Sequence, residues 1–191
     1  MKKKSANRPQ QLSPDNYIRQ RSLNIPIVGC YITSDWETTK MCSILIVRQH
    51  ANANVTFCYY LVDLSCLGIK NSFYRFNEPF TVVEKLLTDG EERNVYFMET
   101  SYKLVHNIIY AGLEYAEKWG FAPCKEFASV TRYFLEPDTV AIPSMKIPCG
   151  EGGKPMYVNS GFDSPVREKQ ILAQLEKTAG EGNYLFMLPS R

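Results

Sequence analysis

Asp63, His106 and Glu114 are the residues whose types and positions are best suited to chemistry in this chain. Asp63 closes Val55 to Leu64, VTFCYYLVDL, an otherwise almost wholly apolar run. A carboxylate in such a place must be paired, protonated or bound to a cation. His106 and Glu114 lie in Ser101 to Phe127, together with Glu126 and Cys124. A strand-end aspartate joined to helix carboxylates is a suitable oxygen-ligand set for magnesium, and a histidine beside it would supply a general base. One reading is therefore a metal-dependent hydrolase, most naturally a nuclease, and only under that reading is a cofactor implied, a divalent metal. The competing expectation is structural: Asp63 caps the SCLGIKN turn or pairs with Arg48 or Lys70, and His106 packs at the edge of a helix face.

Other candidates carry less chemistry. His50 falls in the polar link HANAN, where a solvated turn residue is expected, and no second clustered histidine supports a zinc site. Cys66 and Cys124 are conceivable nucleophiles, but six scattered cysteines make a chance pairing easy. Cys149 to Lys154, CGEGGK, lacks the Walker spacing and the Ser or Thr that follows it, and reads as a hairpin turn. Aromatic residues alternate with basic ones in Phe73-Tyr74-Arg75-Phe76 and Arg132-Tyr133-Phe134. That pattern suits either strand packing or stacking on single-stranded bases.

The elements that must position these groups follow from periodicity. Ser13-Pro14-Asp15 opens a short helix to about Arg21, with the serine as cap and proline in the first turn. Pro26 starts an extended piece, IVGCYIT, and Asp35-Trp36-Glu37 is a polar break. CSILIVRQ (Cys42 to Gln49) and Val55 to Leu64 form an antiparallel hairpin, and the second strand, apolar on both faces, must be covered on both sides. SCLGIKNSFYRF is a loop ended by Pro79, and TVVEKLL (Thr81 to Leu87) is a short helix closed at Asp89-Gly90. Leu104, Val105, Ile108, Ile109, Gly112, Ala116 and Trp119 recur at steps of three and four, which defines one apolar face of a long helix capped by Gly120. Gly112 costs that helix roughly 1 kcal/mol relative to alanine, and close approach of a strand is the expected compensation. Val130 to Leu135 reads as a strand, Met145 to Pro148 with Pro155 to Val158 as a hairpin, Val166 to Thr178 as a helix and Asn183 to Leu188 as a last strand. The class is α+β: a mainly antiparallel sheet with a long central helix and two or three shorter helices packed on one side of it.

The 191 residues suit one domain, residues 13–191, preceded by a disordered basic tail, residues 1–12. With 45% apolar and 22% charged residues the chain is not a largely disordered protein. Its net charge of +2 is unevenly spread: Met1 to Arg21 carries six basic residues against Asp15 alone, a net +5, which leaves −3 for the rest. Lys2, Lys3, Lys4 and Arg8 are the candidate contacts to nucleic acid or another anionic partner. Six cysteines without a CxxC suit free thiols in a reducing cytoplasm. The basic start is followed by SANRPQQ rather than an apolar run, so neither a secretory signal nor membrane insertion is expected.

VDLSCLGIKN (Val62 to Asn71), HNIIYAGLEYAEKWGFAP (His106 to Pro123) and GGKPMYVNSG (Gly152 to Gly161) together resemble a group of uncharacterised bacterial proteins. That group carries a VDLxCLGVKD-like turn, an HxxxxGAxEYAxxLGFxP-like helix and a GKPxY-like hairpin. The resemblance spans Trp36 to Leu188 and implies no known activity. This chain departs from the pattern at Asn71, where an aspartate is expected, and at Cys124-Lys125-Glu126, where a His-x-Asp-like sequence is expected. If those positions hold a metal in relatives, the set is weakened here. The leading expectation is a cytosolic bacterial interaction or adaptor domain without catalytic activity, able to contact nucleic acid or a larger assembly through its basic N-terminal tail.

Overall fold

The computed structural model describes residues 12–139 and 142–189. Its centre is a five-stranded antiparallel sheet in the order β4-β3-β2-β1-β5. The strands are β1 (Ile27–Thr33), β2 (Met41–Gln49), β3 (Val55–Asp63), β4 (Gly68–Glu78) and β5 (Phe97–Glu99). β2 and β3 pair along their whole length, from Met41 opposite Asp63 to Gln49 opposite Val55. Alternation of side chains sends Ile44, Ile46, Cys58, Tyr60 and Val62 to one face, and Leu45, Val47, Val55 and Phe57 to the other. Both sets are buried, which is why these two strands are apolar at nearly every position.

The first face is covered by α4 (Tyr102–Lys118), whose Val105, Ile108 and Ile109 enter the main core. Ser101 caps it by accepting a hydrogen bond from the Leu104 amide at 3.2 Å. α1 (Pro14–Arg21), the one-turn α2 (Trp36–Thr39) and α5 (Lys125–Ser129) add Ile18, Trp36 and Phe127 to the same core. The second face is covered by α3 (Thr81–Glu91) through Val83, Val82, Leu86 and Leu87. Helices therefore lie on both faces of the sheet, not on one. A third cluster of Cys66, Leu67, Tyr157, Ile171 and Leu175 joins the turn after β3 to α6 (Pro165–Ala179).

Several elements differ from the periodicity. The expected loop after Gly68 is strand β4, eleven residues long; its polar outer positions belong to a sheet edge, which masked its strand character. β5 is short and half exposed and left no apolar signature. The long helix ends at Lys118, and Gly120 follows it with φ +78°, where the sequence placed the stop. Val130 to Leu135 is not a strand: residues Thr131–Phe134 form a 3-10 turn, with Phe134 buried and Tyr133 outside. The expected hairpin around residues 145–158 is replaced by β6 (Met156–Val158) pairing in parallel with β7 (Leu185–Met187), while CGEGGK closes on itself as a turn between Glu151 and Lys154. Asp35-Trp36-Glu37 leads into α2, so the polar break is a helical turn.

The helix–sheet crossing is tight where the sequence placed Gly112. A Cβ on Gly112 would sit 2.6 Å from Val62 Cγ1. Gly68, with φ +66°, faces it, and a Cβ there would lie 2.6 Å from the Ala116 Cβ and 2.9 Å from the Gly112 carbonyl oxygen. Two glycines thus bring α4 into backbone contact with the start of β4, beside Asp63.

Candidate functional site

Asp63 lies at the end of β3 and is only 3% exposed. Its Oδ1 accepts hydrogen bonds from the amides of Ser65 at 2.7 Å and Cys66 at 3.2 Å. The carboxylate therefore folds the turn that connects β3 to β4, and Gly68 completes that turn opposite it. Burial pushes the Asp63 pKa up; Lys70 and the turn's amides act against this without cancelling it. The same turn carries the C-terminal part of the chain, since the Leu64 and Ser65 carbonyls accept from the amides of Gly150 at 2.8 Å and Met156 at 3.0 Å.

His106 is inside α4 and 1% exposed, with Tyr102 and Tyr110 one turn to either side at ring-centroid distances of 5.6 and 4.6 Å. Its Nε2 is 2.9 Å from the Glu136 carbonyl oxygen, an acceptor that requires Nε2 to carry the proton. Tyr110 donates to the same carbonyl at 3.1 Å. The histidine thus pins the segment after the 3-10 turn to α4.

That segment belongs to a polar network which the sequence reading missed. Arg48, 2% exposed in β2, donates to the carbonyls of Ile25 at 2.8 Å and Phe134 at 3.3 Å, and to Glu136 Oε1 at 3.0 Å. Its guanidinium lies 5.2 Å from the Phe134 ring centroid. Tyr102 donates to Glu136 Oε2. Burial raises the Glu136 pKa, but the Tyr102 hydroxyl and Arg48 outweigh it and hold the carboxyl below its ordinary value. Arg48 therefore pairs with Glu136, not with Asp63. The signal was present: an arginine near the end of CSILIVRQ is a charge in a strand buried on both faces and must have a partner.

Glu114 is exposed on α4. Eight residues separate it from His106, which is roughly 12 Å along the axis. It lines a shallow hollow with Tyr115, Lys118, Lys146 and Cys149. Asp63 and Glu114 both lie close enough to Cys149 to raise its pKa, which burial chiefly pushes up to about 11. The structure thus brings Asp63 and Glu114 toward one cysteine and leaves His106 in a different network. Among the described residues, no group of three or more His, Cys, Asp or Glu side chains can hold a metal ion. Glu126 is exposed at the start of α5.

The remaining candidates have structural partners. His50 is half-buried instead of solvated: it packs against Tyr17 and Phe76, and its Nε2 is 2.7 Å from Thr56 Oγ1. Cys66 is fully buried, with its thiol pKa raised by burial. Cys124 Sγ lies 3.5 Å from Ser72 Oγ. Lys154 donates to the Gly182 carbonyl at 2.8 Å. Lys2, Lys3, Lys4 and Arg8 fall outside the described residues.

Strand alternation splits Phe73-Tyr74-Arg75-Phe76 in two. Tyr74 donates to Asp15, and Phe76 packs on Tyr17, so both serve the α1 side. Phe73 and Arg75 face the other way, into a groove of about 460 Å³ between α3 and the sheet. Tyr59 and Phe73, directly opposite each other on β3 and β4, are stacked there with centroids 5.0 Å apart and 21° between planes. Tyr59 and Ser43 share a hydroxyl hydrogen bond of 2.8 Å in the same groove. Lys85, Asp89 and Arg93 stand along its α3 side, with Lys85 and Asp89 paired at 2.9 Å.

No family model matches the chain, and no curated protein or solved structure matches it either. Among the described residues, no helix is long and apolar enough to cross a membrane.

Proposed function

We propose that this chain is a non-catalytic interaction domain of a bacterial cytosol that contacts nucleic acid, aided by the basic residues near its N-terminus. The observation that carries the reading is that Asp63 and His106, the acid and the base a hydrolase would need, are both engaged in holding backbone: Asp63 the β3–β4 turn, His106 the Glu136 segment. A metal or substrate approaching Asp63 Oδ1 or His106 Nε2 would have to displace those hydrogen bonds. The charge pattern supports the partner class, because a +5 segment of 21 residues attached to a mildly acidic body attracts polyanions at low ionic strength. All six cysteines are free thiols, as suits a reducing compartment. Phe162 is 95% exposed on a loop that Asn159 fixes through four hydrogen bonds, and such a residue can add an apolar contact to a larger assembly.

The test is a titration of a fluorescein-labelled single-stranded oligonucleotide with the full chain at 50 and 200 mM salt. Binding that weakens with salt, and weakens further when Lys2, Lys3, Lys4 and Arg8 are changed to Gln, is expected. Absence of binding at 50 mM salt removes the nucleic-acid part of the reading.

A further inference from the structure

We infer that the groove between α3 and the sheet is a base-stacking site for single-stranded nucleic acid, an inference that rests on the interaction reading above and supplies it with a specific surface. The floor is aromatic. Tyr59 and Phe73 form a stacked pair, Phe97 adds a further ring, and Val82, Leu86 and Val95 complete the apolar lining. A stacked pair offers an outer ring face on which a further planar ring continues the stack, and every base has such a face. The rim is cationic. Lys85 is neutralised by Asp89, whereas Arg75 and Arg93 have no carboxylate partner among the described residues. Two unneutralised guanidiniums beside an aromatic floor complement a ligand that is aromatic and anionic at once, which describes a nucleotide and not an aliphatic chain. The shared hydroxyl pair of Ser43 and Tyr59 adds a donor and an acceptor that can meet a base edge. At about 460 Å³ the groove falls within the usual size range of small-ligand sites and accepts a base or two of a continuous strand. A duplex keeps its bases stacked on each other and offers the groove only its backbone.

Phe73 and Arg75 are on the outermost strand of the sheet, where Phe73 packs, partly buried, beside the cluster that Val83 of α3 closes and also lines the groove.

The test uses the full chain, a fluorescein-labelled dT12 single strand and the corresponding 12-base-pair duplex at 50 mM salt. Tighter binding of the single strand is expected. Phe73→Leu, which keeps apolar volume and removes the stacking face, should weaken single-strand binding about tenfold and leave duplex binding unchanged. Arg75→Glu combined with Arg93→Glu, both at exposed positions, should weaken binding and reduce the dependence of log K on log salt by about 1.4, two phosphates' worth for a single strand. Ultraviolet cross-linking of the wild-type chain to a 4-thiothymidine strand, mapped by mass spectrometry, should place the adduct on the peptides containing Tyr59 or Phe73. Unchanged affinity in both groove variants, with adducts only in residues 1–21, overturns the groove and leaves the interaction reading standing. No binding of either nucleic acid by the wild type overturns both.

Discussion

Asp63 illustrates how a residue type can suggest chemistry and perform structure. Its carboxylate enters a buried strand end, where two backbone amides donate to one of its oxygens and it holds the β3–β4 turn. Burial raises its folded-state pKa above the unfolded value. Between the two values the folded chain binds more protons than the unfolded one, so this group's contribution to stability falls as pH rises through that window. Asp63→Asn keeps an acceptor oxygen for the turn and has no charge to desolvate. The stability of the variant relative to wild type, from urea unfolding, should therefore improve from pH 3.5 to pH 7. A relative loss over that range would mean that the ionised carboxylate is stabilised by something other than the turn. His106 was legible as a packing-face histidine from its helix periodicity. Its acceptor was not, because Glu136 is 30 residues away in sequence and lies beyond a segment that reads as a strand.

At the scale of elements, the two glycines at the α4–β4 crossing govern how closely helix and sheet approach. Gly112→Ala gains roughly 1 kcal/mol of helix propensity but drives a methyl to 2.6 Å from Val62 Cγ1. Overpacking of this kind costs about 1 to 3 kcal/mol, so net destabilisation is expected, and Val62→Ala in the same chain should recover part of it. Gly68→Ala should be worse. It meets backbone as well as a side chain and forces a non-glycine residue to φ +66°. Chemical denaturation of the three variants would check this order. The sequence disclosed the close approach through Gly112 alone, since a glycine in mid-helix needs a compensation. The β2–β3 hairpin was equally legible from its two nearly continuous apolar runs joined by the short polar link HANAN. β4, β5 and the parallel β6–β7 pair were not, because edge strands are half-solvated and a three-residue strand has no period to read. Placing α3 on the opposite face was also beyond the sequence: an amphipathic helix declares that it has a face, not which face of the sheet receives it.

For the whole molecule, the sheet divides labour between its two faces. The α4 face holds the main core together with the network in which Arg48 pairs with Glu136 and His106 bonds the Glu136 carbonyl. The α3 face carries the second cluster and, beside it, the groove lined by Tyr59, Phe73, Arg75 and Arg93. Charge concentrated near the N-terminus and aromatic surface on the sheet are complementary means of holding a single strand, one long-range and salt-sensitive, the other short-range and dependent on stacking. The central claim is that this chain holds nucleic acid without cutting it. The most direct measurement incubates the full chain and its Asp63→Asn variant with labelled dT12 and 5 mM magnesium, and reads binding and strand length on the same samples. Equal binding by both proteins and an intact strand is the predicted result; cleavage by the wild type that Asp63→Asn abolishes would contradict it.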